Sequence, residues 1–135
     1  MTPICLELIA ERFAICRFGP DCDRPAWCTG GSLCAWITTT DEATAVCSED
    51  LVSDAVECSR GWRCLQVAGP LDLSLVGILS RLTAALASAQ VPVFALSTYD
   101  TDYLLVREEA LGDAISALRT AGHEVGTGAT EPETT

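Results

Sequence analysis

In the second half of the chain, apolar and polar residues fall into runs whose period changes at each breaker. Residues 62–68 (WRCLQVA) are rich in strand formers and end at Gly69-Pro70, a pair that interrupts regular structure. Beyond it Leu75, Ile78, Leu79, Leu82, Leu86 and Ala89 recur at helical spacing as one apolar stripe. Asp72 or Ser74 can cap that helix by offering an oxygen to its free N–H groups. Pro92 excludes further helix, and residues 93–96 (VFAL) read as a strand. A polar knot, Ser97-Thr98-Tyr99-Asp100-Thr101-Asp102, separates it from a second strand over 103–106. Glu108, Glu109 and Asp113 load the start of another helix, where the dipole favours anions. Its stripe is Leu111, Ala114, Ile115 and Leu118, and Gly122 stops it. His123 then reads as a cation partner for the helix end, His123-Glu124-Val125 as a short last strand, and residues 129–135 as a flexible tail. The order β-α-β-β-α-β predicts an α+β, ferredoxin-like domain over 61–128, an antiparallel sheet with both helices on one face.

The first half becomes readable when laid over the second. A shift of 59 positions puts Trp36-Ile37-Thr38-Thr39-Thr40-Asp41 on Ala95-Leu96-Ser97-Thr98-Tyr99-Asp100, Val46-Cys47 on Leu105-Val106, and Glu49 on Glu108. A strand, a Thr-rich knot and a second strand leading into an acidic turn thus occur twice, which predicts an internal duplication. The earlier copy is eroded. Between a strand at 12–18 and one near Leu33 lies GPDCDRPAWCTGG, too rich in Pro and Gly for a helix. Residues 1–60 therefore read as a degenerate, mainly β lobe. In the second lobe Val93 and Ala95 share one sheet face, Phe94 and Leu96 the other, and the following strand is likewise apolar on both sides. A two-layer sheet needs one dry face, so the first lobe, a second chain or both must cover the other.

The net charge of −11 disfavours nucleic acid and anionic membranes as partners. No stretch approaches the roughly 18 apolar residues of a membrane span. The opening MTPICLELIAERF has no basic leader, and Glu7 and Glu11 interrupt its apolar residues, which predicts a cytoplasmic protein. In that compartment the eight cysteines read first as small buried hydrophobes, with a disulfide framework or a metal site as the alternatives. Cys16, Cys22, Cys28 and Cys34 recur every six residues, yet no Cys-x-x-Cys knuckle occurs.

No triad, phosphate loop or metal-ligand run is present, so the chain reads as no enzyme, with no catalytic residue, metal or cofactor. Two stretches remain. Asp100 and Asp102 form an Asp-x-Asp pair at a hairpin, either as turn chemistry or as partners for a charged amine or guanidinium. Residues 70–79 (PLDLSLVGIL) lead into a helix N-terminus, whose N–H groups suit a carboxylate. Gly77, read there as lying inside the first helical turns, allows close helix packing or close ligand approach. One stretch meets an acid and the other an amine, which together describe an amino acid.

At these residues the chain resembles ACT domains, small βαββαβ regulatory modules. The hairpin stretch Ser97–Glu108 (STYDTDYLLVRE) and the loop Gly69–Leu79 are similar to those of a subfamily that contains the arginine sensor CASTOR and small bacterial ACT proteins. The resemblance covers about 62–125 and implies an amino acid or similar zwitterion held between two ACT units, in a sensor or regulator. By position it implies Asp72, Leu73, Ser74, Leu75, Gly77, Thr98, Tyr99 and Asp102 as ligand-binding, with Asp102 as counter-charge. Leu75 stands where the arginine sensor carries an acidic side chain, which argues against a guanidinium-bearing ligand and permits a smaller or more neutral one. It further implies a homodimer and a regulated protein partner. The alternative is an ACT-fold interaction or dimerisation protein without a ligand.

Overall fold

The strands form where β-branched and aromatic residues cluster, and they end at the glycines, prolines and Thr-Asp knots noted above. A computed structural model of the chain describes residues 2–72 and 74–128; Leu73 and the tail assigned to 129–135 lie outside the described residues. The elements run β1 (Cys5–Phe18), β2 (Ala35–Thr38), β3 (Ala43–Ser48), β4 (Cys58–Val67), α1 (Ile78–Ser88), β5 (Phe94–Ser97), β6 (Asp102–Arg107), α2 (Leu111–Thr120) and β7 (Glu124–Gly126). From β4 onward this is the β-α-β-β-α-β order expected of a ferredoxin-like ACT domain. Two compact units result: residues up to Ala10 together with Arg63 onward, and Glu11–Trp62. β1 and β4 each contribute to both.

In the larger unit the strand order is β7-β1-β4-β6-β5. β7 runs parallel to the start of β1, with Leu6 opposite Val125, while β5 and β6 form an antiparallel hairpin with Leu96 opposite Tyr103. The helices bury Leu82, Ala85, Leu86, Ala114 and Leu118 against Leu6, Leu65, Val67, Leu104, Val106 and Val125, a single apolar layer on one sheet face. Burying each such Leu or Val is worth about 1.5–3 kcal/mol. Leu105, on the opposite face of β6, is also fully buried, as the two-sided apolar pattern requires.

The smaller unit contains no α-helix among its described residues. Its strands β2, β3 and the end of β1 enclose a core of Ala14, Cys16, Cys28, Ala45, Cys47 and Val52. Cysteine is thus a principal core residue here, and burial pushes the Cys16 and Cys28 thiols up to about 11 and Cys47 up to about 12.

The repeat is reproduced in three dimensions. Moved 59 positions, β2 falls on β5 and β3 on β6 residue for residue, and the single 3-10 turn Glu49–Leu51 falls on Glu108–Ala110. Pairing register follows, with Ala35 opposite Val46 and Phe94 opposite Leu105. Even the turn bonds agree. Thr39 N–H donates to the Glu42 carbonyl at 2.9 Å, and Thr98 N–H to the Thr101 carbonyl at 2.8 Å. The same shift lays Cys5-Leu6 on Cys64-Leu65, extending the repeat upstream.

His123 departs from the sequence reading. It is buried, and its Nδ1 accepts the Ile4 N–H at 3.2 Å. Burial, with the nearby Arg81 charge, pushes its pKa down, so it is a neutral acceptor in the core rather than a cation at a helix end.

Candidate functional site

The chain leaves β4 through Gly69-Pro70 and crosses the turn of the β5–β6 hairpin. Two hydrogen bonds fasten the crossing: Leu71 N–H donates to the Asp100 carbonyl at 2.7 Å, and the buried Thr101 Oγ1–H donates to the Val67 carbonyl at 2.7 Å. The approach is tight at Gly69. A Cβ there would stand 3.1 Å from both the Asp100 carbonyl oxygen and the Thr101 Cβ. The loop and the knot are therefore neighbours for a stated reason, and between them lies a cleft of about 300 Å³.

The start of α1 differs from the sequence expectation. The helix begins at Ile78, with Gly77 as its N-cap in the left-handed region at φ +90°. Asp72 and Ser74 do not cap it. Asp72 Oδ1 instead accepts from Ser74 N–H at 2.9 Å and from Ser74 Oγ–H at 2.8 Å, while the Asp72 carbonyl accepts Leu75 N–H at 3.0 Å. This is a self-contained Asx turn, and Ser74's two hydrogen bonds hold the Asp72 carboxyl below its usual range. Such local bonding competes with helix, so the helix starts only after glycine has turned the chain.

Of the residues singled out in the sequence, Asp72, Leu75, Gly77, Thr98, Tyr99 and Asp102 line the cleft. Ser74 is not among the lining residues; its hydroxyl serves the Asx turn. Leu73 lies outside the described residues. The lining also takes in Leu71, Ile78, Leu79, Ser80, Ser97, Asp100 and Thr101. Ser80 carries no sequence signal, and Ser97 reads only as part of the polar knot. Only the late helix start brings Ser80 into the first turn, and only the hairpin register sets Ser97 opposite Asp102.

In formal charge the lining is one-sided. It holds three carboxylates, Asp72, Asp100 and Asp102, and no Lys, Arg or His. Asp102 Oδ1 accepts the Ser97 hydroxyl, and Thr98 Oγ1 both donates to the Thr101 carbonyl at 3.2 Å and accepts its N–H at 3.3 Å. These bonds hold the oxygens in place before anything binds. Facing them are Ile78, Leu79 and Ser80, whose first-turn N–H groups have no carbonyl partner within the helix. Carboxylate oxygens that attract cations and N–H groups that attract anions thus share one cleft. Its rim is apolar and wet: Leu75 is 53% exposed and Tyr99 80%, and Val76, beside the lining, is 92% exposed. Among the described residues, no cluster of His, Cys, Asp and Glu is arranged to hold a metal ion, and no helix is long and apolar enough to cross a membrane.

Residues 57–120 match the family model of the ACT domain, and this segment is an ACT domain. ACT domains are regulatory rather than catalytic modules, and members commonly bind amino acids. The chain is 32% identical over 59 residues to the human "Cytosolic arginine sensor for mTORC1 subunit 1", a stretch covering 43% of this chain and 18% of that protein. The bovine protein of the same name matches equally. The chain thus spans less than a fifth of the length of these curated relatives. Among solved structures, a protein of Agobacterium tumefaciens superposes with a TM-score of 0.90 at 28% identity, covering 99% of this chain and 100% of that one. The regulatory subunit of aspartate kinase from Thermus thermophilus superposes with a TM-score of 0.61 at 12% identity, over 87% and 97% of the two chains, and shares the fold.

Proposed function

We propose that this ACT domain binds a free amino acid, or a similar small zwitterion, in the cleft between the 71–80 loop and the 97–102 knot. The protein then acts as a cytoplasmic sensor or regulator rather than an enzyme. The observation that carries the reading is the two-ended chemistry of the cleft. An α-carboxylate finds the first-turn N–H groups of Ile78–Ser80, and an ammonium finds the oxygens of Asp100, Asp102 and Thr98. A cavity of about 300 Å³ is at the small end of ligand sites and suits a single amino acid. The exposed Leu75, Val76 and Tyr99 at its mouth favour closure by a second copy of the chain, and a protein whose behaviour changes with occupancy completes the scheme.

Thermal unfolding against a panel of amino acids tests this directly. At a ligand concentration 100 times Kd the fold gains about 2.7 kcal/mol, a shift of several degrees. Asp102→Ala, which keeps the hairpin register but removes the counter-charge, is expected to abolish the shift. A flat panel at millimolar ligand refutes the reading. The same apolar rim also favours a second reading, in which the surface only pairs chains; oligomeric mass would then be unchanged in Asp102→Ala while no amino acid binds.

A further inference from the structure

The smaller unit strings five sulfurs together. Cys34 Sγ lies 3.5 Å from Cys28 Sγ; Cys28 neighbours Cys47, Cys47 neighbours Cys16, and Cys16 neighbours Cys58. The three inner thiols are buried, whereas Cys34 and Cys58 at the two ends are partly buried. Core packing accounts for the inner members. It does not require a reachable thiol touching a buried one.

We propose that Cys28 and Cys34 are a reversible modification site, a dithiol that peroxide closes to a disulfide. The separation of 3.5 Å must shrink to the roughly 2.05 Å of a disulfide, a movement of about 1.5 Å. Reaction begins at the thiol that solvent reaches. Cys34 gives up its proton, its thiolate attacks one peroxide oxygen, and the displaced hydroxide takes up that proton, giving a sulfenic acid and one water. Cys28 then attacks the Cys34 sulfur, and the departing hydroxide leaves with a proton as a second water. Two thiols have lost two protons and two electrons, and the peroxide has taken them. Buried and high in pKa, the Cys28 thiol stays inert until Cys34 has been activated beside it. Arg24 Nη1 donates to the Cys28 carbonyl at 2.7 Å and keeps that partner in position. The two exposed thiols are differently placed: Cys5 donates to Glu124 Oε1 and Cys22 to the Asp23 carbonyl. Thiol–disulfide exchange with a small reducing thiol reopens the bond.

The test is peroxide treatment of the full chain, alkylation of the remaining thiols, and chymotryptic mapping without reductant. Cleavage after Trp27, Leu33 and Trp36 puts Cys28 and Cys34 on separate peptides, 28–33 and 34–36. The expected product is these two peptides joined, released by dithiothreitol, and lost in Cys34→Ser but retained in Cys22→Ser. Cys34 found as a stable sulfinic acid, Cys28 joined to Cys47, or loss of the linkage in Cys22→Ser each overturns the proposal.

Discussion

Gly77→Ala and Gly112→Ala make the same chemical change in the same compact unit, and the structure assigns them opposite signs. At both positions an added Cβ meets nothing within 4 Å, so steric contact plays no part. What differs is the backbone. Gly77 stands at φ +90° immediately before α1, whereas Gly112 lies in the first turn of α2 with helical geometry. Left-handed backbone costs a non-glycine residue roughly 1–2 kcal/mol. Alanine also lowers the entropy of the unfolded chain, which returns about 0.4–1 kcal/mol at either site. Gly77→Ala is therefore expected to destabilise by about 1 kcal/mol and Gly112→Ala to stabilise by about 0.5 kcal/mol. The gap of about 1.5 kcal/mol corresponds to roughly 5 °C in Tm for a chain of this size. Urea titration followed by circular dichroism measures both variants against one reference. If the two shifts have the same sign, or if Gly77→Ala is neutral, the left-handed entry to α1 is wrong and the first-turn N–H groups are not where the cleft needs them.

Thr101→Val keeps the shape of the side chain but strips the Val67 carbonyl of its 2.7 Å donor, and a buried acceptor left without that bond costs about 1–3 kcal/mol. The urea midpoint is expected to fall, and amino-acid affinity with it, because this bond helps to hold loop and knot together; an unchanged midpoint would show that the clamp contributes nothing. His123 predicts a pH dependence. Its folded pKa lies below the unfolded value of 6.5, so the unfolded chain binds the extra proton first. Stability present above pH 6.5 is lost as pH falls from there to the depressed folded pKa. Tm measured between pH 7.5 and 5.5 should decline in the wild type, and decline less in His123→Gln.

Local patterns were legible in the sequence wherever neighbours decide them. The stripe Leu79, Leu82, Leu86 and the stripe Leu111, Ala114, Ile115, Leu118 lie on helices, and the 59-residue repeat recovers both hairpins in register. What escaped is set by partners distant in sequence or by competition at one residue. Ile4 and His123 meet across 119 positions, and nothing near His123 announces that its imidazole will accept that N–H. The parallel pairing of β7 with β1 is hidden for the same reason. Asp72 is a good helix cap by type, but Ser74 two residues on captures its oxygen in an Asx turn. Ser80 joins the cleft only as a result of that competition.

The pairing of Cys5–Glu7 with Glu124–Gly126 has a consequence for biosynthesis. On the ribosome, Cys5–Glu7 emerge long before the strand they lie beside has been made. Glu11–Trp62 can settle into its own fold meanwhile, but the larger unit stays unlatched until Glu124–Gly126 has been made. A stalled or prematurely released chain therefore carries an uncovered strand edge, the kind of surface chaperones intercept.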